Sequence, residues 1–551
     1  MALIYEKFVK TEFDENNRLC KLDFIPDETY NFGFDVMDAL ADKTPEKRAL
    51  LWLSKEKEMH NFTFADLKKY SNQTANYFVS LGIKKGDRVM LVLKRHYQFW
   101  FSMLALHKIG AIAIPATDQL TCKDFIYRFE KAGVKAIVCT ADGKVSDHAE
   151  EAIQASPSVT VKMIVNGTKE GWSSFDSDIA KQSEVFERPV GDACPMRDEI
   201  MLMYFTSGTT SYPKIAAHTH TYSLGHIVTA KFWHNVNPDG VHCTISDTGW
   251  GKAVWGKLYG QWLAETCVFA YDFVKFDAHD ILPLFKEYQI TTFCAPPTMF
   301  RFFIKEDLAK YDLSSLQYAT VAGEALNPEV FNKFFEHTGV KLMEGFGQTE
   351  TTLLIANLIG DTPKPGSMGK PNPQFDVMLI DSEDEQVPVG EVGEIVIKVS
   401  ESIPCGLFKE YYNDPEKTAE AVRNGFYHTG DTAWMDEEGY YWYVGRTDDL
   451  IKSSGYRIGP FEIESVIMEL PYVLECAVIG VPDPDETRGQ LVKATIVLTK
   501  DKEASEELKK EIQTYVKNLT APYKYPRIVE FAAELPKTIS GKIRRVELRE
   551  K

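Results

Sequence analysis

The sequence predicts an α/β protein: a large N-terminal domain of parallel-type βα sheets with a small barrel-like subdomain, then a small α+β C-terminal domain. Three observations predict it. Between about residues 34 and 200, helix-period and strand-period segments alternate, as parallel βα units require. From Ser367 to about Gly445, short strands alternate with Gly, Pro and Asp turns (Val387–Glu394, Asp436–Gly439), the pattern of an antiparallel or barrel subdomain. Behind a polar connection at Gly445–Arg457, the tail has helices and strands of its own. A chain of 551 residues is also too long for one core.

The elements follow in order. Phe64–Leu81 is amphipathic, Arg88–Leu93 a short apolar strand, Trp100–Ile109 helical, and Ala111–Pro115, Val134–Cys139 and Val161–Val165 continue the strands. Met201–Phe205 reads as a buried strand that gives way to Thr206–Lys214. Those nine residues hold Thr206, Ser207, Gly208, Thr209, Thr210, Ser211, a Pro and Lys214. Such a loop makes a nest for phosphate oxygens, with backbone N–H groups and hydroxyls as donors and Lys214 as the compensating charge. A helix is expected at Thr221–Phe232 and a strand at Val241–Ser246 leading into Asp247–Trp250. Gly251–Leu258 fits a Walker A loop except at its last position, where Leu258 replaces the hydroxyl, and Val254 and Trp255 are too bulky for its interior, so that reading is rejected. Strands at Ile290–Cys294, Tyr318–Val321 and Lys341–Met343 end at Ala295–Pro297, Ala322–Leu326 and Glu344–Glu350. Ligands of open α/β sheets collect at such strand ends, so these stretches are expected to share one crevice. The tail has a helix at Phe461–Leu470, strands at Val473–Val481 and Leu491–Val497, a helix at Ser505–Leu519 and a strand at Arg527–Phe531.

Composition excludes several classes. A net charge of −18 argues against nucleic acid or an anionic membrane surface as the main partner. The nine cysteines are scattered, without a C-x-x-C pair or a metal-spaced His cluster, as buried thiols in a reducing compartment would be. The first residues carry several acids and neither an apolar signal core nor an Arg/Ser-rich presequence, and no apolar run approaches membrane-spanning length. A cytoplasmic protein without membrane insertion is expected, and a homodimer is compatible with this composition.

Thr206–Lys214, Glu344–Glu350, Tyr427–Asp431, Gly445–Arg457 and Pro536–Lys542 stand in the order of the adenylate-forming (AMP-binding) superfamily, which the chain resembles over nearly its whole length. Asp247–Trp250 with Lys252 and Trp255, and Ala322–Pro328, look most like its medium-chain acyl-CoA synthetases. The resemblance implies an acid–thiol ligase acting in two half-reactions: a carboxylate attacks the α-phosphate of ATP, giving acyl-adenylate and pyrophosphate, and the thiol of coenzyme A then displaces AMP. ATP, Mg²⁺ and coenzyme A are the implied cofactors. Two anions meet in the first step, which calls for cationic groups and Mg²⁺.

By resemblance, Lys542, Glu350 and Thr206 are catalytic, Lys542 contacting the carboxylate and α-phosphate and Glu350 binding Mg²⁺. ATP is implied to meet Thr206, Ser207, Gly208, Thr209, Thr210 and Lys214; the base-lining Gly323, Glu324 and Ala325; Glu344, Gly345, Phe346, Gly347, Gln348 and Thr349, with Phe346 stacking on adenine; and Asp431, which takes the ribose hydroxyls, beside Arg446, with Arg457 and Lys542. Asp448 is the implied hinge between an N-terminal domain at 1–447 and a mobile C-terminal domain at 448–551. Ser454, Gly455, Tyr456 and Arg488 are implied to meet coenzyme A, and Trp250, Lys252, Trp255 and Gly347 to line the acyl pocket. Gly347 stands where the acetyl-CoA synthetases have a pocket-closing tryptophan, so an open pocket and a medium-chain, branched or aromatic acid are expected. Ser211 departs from the family's usual Gly, which predicts weakened or slower ATP handling. An adenylating ligase with another acceptor, or a catalytically weak acyl-nucleotide binding protein, are the alternatives.

Overall fold

The computed structural model describes residues 2–206, 212–399, 402–454, 456–485, 487–537 and 543–549. Two large sheets form its N-terminal part. One has eight strands, in the order Glu410–Tyr411, Lys214–Thr219, Ile200–Thr206, Ile112–Pro115, Arg88–Val92, Ala136–Thr140, Val161–Val165 and Ser173–Ser174. Its strands run parallel from Ile200–Thr206 onward, and the first two are antiparallel additions. The other has nine, with a parallel centre of Leu342–Gly347, Tyr318–Val321, Thr292–Ala295, Val241–Thr244, Cys267–Tyr271 and Arg48–Leu53. The central strands are apolar on both faces because helices cover them. Helix Gln98–Ile109 is buried along its whole length and shares one core with residues of both sheets, such as Leu50, Leu91, Val138 and Val268.

Local chemistry sets the helix ends. Thr63 caps Phe64–Ser80 in a reciprocal box with Asp66, and Gly110 and Gly133 end Gln98–Ile109 and Cys122–Ala132 in the left-handed region. Strands Val377–Ile380, Val392–Lys398, Val422–Arg423, Phe426–Met435 and Tyr441–Arg446 form the antiparallel subdomain. The separate C-terminal domain has a three-stranded sheet (Val473–Pro482, Gln490–Leu498, Ile528–Phe531) under helices Pro460–Met468 and Glu506–Leu519. Its own core holds Ile451, Ile463, Ile467, Val478, Ile512 and Val516.

Two elements differ from expectation. Thr221–Phe232 is not one α-helix: Tyr222–Ile227 passes into a π-helical turn at Val228–Trp233. There the Trp233 indole donates to the Met343 carbonyl at 3.0 Å. The strand expected to stop at Met343 instead runs through Gly347, since Gly345 and Phe346 pair with Ala356 and Ile355. Gly251–Leu258 holds a short helix, Lys252–Gly256.

Candidate active site

The parallel strands of the nine-stranded sheet end side by side at Gly347, Val321, Ala295 and Thr244, as the crevice expectation requires. From the other sheet, the hairpin of Ile200–Thr206 and Lys214–Thr219 pairs Thr206 with Lys214, so both stand at the base of the phosphate-loop candidate. Ser207, Gly208, Thr209, Thr210 and Ser211 lie outside the described residues, as do Gly455 and Lys542.

Lys214 places its ammonium 4.1 Å from the centre of the Tyr411 ring. The Tyr411 hydroxyl donates to Glu350 Oε1 at 2.8 Å, and burial, reinforced by Glu350, pushes the phenol pKa upward. Burial lowers the pKa of Lys214, while Glu350 acts in the opposite direction. A buried carboxylate oriented by a phenol, with a cation beside it, fits a hard divalent ion shared with phosphate oxygens. Strand Glu410–Tyr411 reaches this place by pairing with Ala216 and Ala217.

A second network surrounds Asp431. Gln348 Nε2 donates to Asp431 Oδ2 at 2.6 Å and to the Thr429 carbonyl at 2.8 Å, and Gln348 Oε1 accepts from the Tyr427 hydroxyl at 2.7 Å. Tyr443 donates to Asp431 Oδ1 at 3.0 Å, and Arg446 stands 3.6 Å from Oδ2. A carboxylate accepts through about four positions, the chemistry that sugar hydroxyls call for. Arg446 also lies 3.6 Å from Asp448.

Phe346 and Tyr443 bring their rings to 6.3 Å. The glycines beside Phe346 are required by what packs behind them. A Cβ on Gly345 would stand 2.7 Å from the Trp233 ring, and one on Gly347 would stand 2.4 Å from Trp255 Cη2 and 2.6 Å from the Thr352 carbonyl. The space expected beside Gly347 is therefore filled by Trp255, which is itself walled by Trp233 and His226 at 6.4 and 6.2 Å between rings. Lys252 donates to the Ala322 carbonyl, and Gly323 takes φ +108 with the Lys252 ammonium 3.8 Å from where its Cβ would be. Glu324 accepts from Thr298 and Arg301 at 2.9 and 3.3 Å, while Ala325 lies between it and Leu326, whose N–H meets Glu344 Oε1 at 3.1 Å. The Thr349 carbonyl accepts from His218 at 2.9 Å, and Trp250 sits in the turn closed by the Asp247 carbonyl.

On the C-terminal domain, Ser454 (φ +52) receives Arg488 Nη1 at 3.4 Å, and its N–H donates to the Arg488 carbonyl at 2.8 Å. Tyr456 stacks on Tyr523 at 4.0 Å, and Arg457 is exposed opposite Lys452. Tyr411, Tyr443 and Trp233 are site residues that the sequence reading missed. Only Trp233 had a signal: strand glycines at 345 and 347 announce a close approach.

Residues 37–412 match the AMP-binding enzyme family, and residues 462–542 match the AMP-binding enzyme C-terminal domain. The chain belongs to the AMP-binding enzyme family. Its relatives within it are acyl-CoA synthetases: the mitochondrial acyl-coenzyme A synthetase ACSM3 of Homo sapiens is 40% identical over 536 residues, 95% of this chain and 90% of its own. The mitochondrial ACSM5 of Rattus norvegicus is 41% identical, over 95% of this chain and 90% of its own. The crystal structure of the anthranilate CoA ligase AuaEII with anthranoyl-AMP superposes with a TM-score of 0.86 at 29% identity, over 96% of this chain and 98% of that one. This chain is an enzyme of that acid–thiol ligase class.

Proposed function

We propose that the protein joins a medium-chain, branched or aromatic carboxylic acid to coenzyme A. A carboxylate oxygen bonds to the α-phosphorus of ATP as the bond to the β-phosphate oxygen breaks, releasing pyrophosphate. The thiol sulfur then bonds to the acyl carbon, the acyl–phosphate C–O bond breaks, AMP leaves and the thiol proton goes to solvent. The observation that carries this reading is the meeting of Thr206, Lys214, Glu350 and Asp431 around the strand ends.

Mg²⁺ would be held by Glu350 and would offset phosphate charge. Lys214 supplies local positive charge, Asp431 and Gln348 orient the sugar, and Phe346 offers a face to the base. Lys542 would complete adenylation. Rotation about Asp448 would then exchange it for the Ser454–Tyr456 stretch and Arg488. The nine thiols, all free, support a reducing compartment, and we place the protein in the cytoplasm. No described helix is long and apolar enough to cross a membrane.

Trp255, whose ring fills the space beside Gly347, would limit the length of the acid. The test is turnover of acids from acetate to decanoate, with isobutyrate, 2-methylbutyrate and benzoate, each with MgATP and with or without coenzyme A. Thioester formation peaking beyond acetate supports the reading; pyrophosphate release without a thioester points to another acceptor.

A further inference from the structure

One buried carboxyl among the residues implied to meet ATP takes no part in the bond-making steps described above. Glu344 lies on strand Leu342–Gly347, where residues two apart share a face, so it stands on the face of Phe346. Its side chain is 4% exposed. Oε1 accepts the Leu326 N–H at 3.1 Å, and that N–H follows directly on Gly323–Ala325, the base-lining stretch. Among the described residues, Oε2 is buried with no partner, and so is Oδ1 of Asn357, whose N and Nδ2 donate to the Glu344 carbonyl at 2.9 and 3.3 Å.

The charged and titratable groups on neighbouring elements are engaged elsewhere. Lys252 donates to Ala322, Glu324 accepts from Thr298 and Arg301, and Asp361 accepts the Leu358 N–H and pairs with Arg18 at 3.7 Å. Tyr318 stands at the far end of its strand, and Leu353–Ala356 has no titratable residue. An ionised carboxylate in this place would be buried without a cation, which is among the most costly arrangements in a protein interior. Burial accordingly raises the Glu344 pKa to about 8, against the opposing pull of the Leu326 N–H.

We propose that Glu344 acts as a neutral carboxylic acid that positions the base-binding segment Gly323–Leu326, and that ionising it weakens ATP binding. The inference rests on the adenylate-forming reading. As an acid, Glu344 keeps one oxygen for the Leu326 N–H and offers an O–H where a carboxylate would present unbalanced charge next to the base. Ionisation would draw in water or a counterion, and either would shift the segment.

The test is calorimetric ATP binding to the full chain between pH 6.5 and 9.5, without acid or coenzyme A, for wild type and Glu344→Gln. Wild type is expected to lose about tenfold in affinity between pH 7 and 9, and Glu344→Gln, whatever its affinity at pH 7, less than twofold. Lys257, also buried and with its pKa lowered to about 8 by burial, is common to both proteins and cancels in the comparison. Parallel pH profiles would overturn the inference. If Glu344→Gln does not fold, infrared spectra of wild type decide: a protonated-carboxyl band at pH 7 that bleaches by pH 9 is expected, and its absence at pH 7 would overturn it. ATP binding that persists without any acid being turned over would count against the ligase reading alone.

Discussion

Replacing Trp255 by Ala should move the acid preference to longer chains. Trp255 Cη2 stands 2.4 Å from where a Gly347 Cβ would be, so its indole fills the volume that Gly347 vacates. Removing the ring leaves a space bounded by Trp233 and His226. Each methylene that enters an apolar space gains about 0.8 kcal/mol, about fourfold in kcat/KM, so an acid two carbons longer than the wild-type optimum should gain about fifteenfold relative to that optimum. Emptying the site costs about 3–5 kcal/mol of stability, so Trp255→Leu is the milder companion and thermal unfolding of both variants is the control. The assay is kcat/KM for a series of straight-chain acids at saturating MgATP and coenzyme A. A folded Trp255→Ala enzyme with the wild-type chain-length profile would refute the reasoning.

Other outcomes follow from the same structure. His218, His220 and His242 are fully buried, and burial lowers their pKa to about 3, 4 and 3. The unfolded chain therefore binds more protons than the native one as pH falls below 6.5, and stability falls with it: at pH 5 each histidine contributes a loss of about 2 kcal/mol, about 6 in all. Urea unfolding followed by tryptophan fluorescence should show a sharply lower midpoint at pH 5 than at pH 7; equal midpoints would contradict this. Asp431→Asn turns one acceptor oxygen into a donor facing Gln348 Nε2 or the Tyr443 hydroxyl, and should raise the KM for ATP about tenfold or more in steady-state kinetics. Arg545→Ala removes the contacts of its Nη2 with both carboxylate oxygens of Glu464, at 2.7 and 2.8 Å, and leaves Glu464 nearly buried without its cation, with the Val478 N–H still donating to Oε1. Hydrogen exchange across residues 460–549 should report a loss of about 3 kcal/mol confined to the C-terminal domain.

The crevice was legible because each of its strands ends in a run of Gly, Pro or small polar residues, and such ends carry the binding groups of an open sheet. Asp431 and Gln348 were legible one by one, but not their direct contact at 2.6 Å, which depends on how the antiparallel subdomain docks. Tyr411 left no local trace: it acts from a two-residue strand whose only definition is its pairing with Ala216 and Ala217. Gly347 misled in an instructive way. A glycine in a strand marks close approach without saying whether a ligand or a side chain makes it, and here Trp255 does. The π turn at Val228–Trp233 was equally hidden, since its apolar pattern is that of an ordinary buried helix.

The central claim is that the acid is activated on ATP before coenzyme A takes part. Isotope exchange between pyrophosphate and ATP, measured with MgATP and a turned-over acid in the absence of coenzyme A, tests it directly. The account predicts exchange that depends on the acid, followed by AMP and thioester in equal amounts once coenzyme A is added. No exchange with an acid that is nevertheless converted to its thioester, or ADP and phosphate as products, would contradict it.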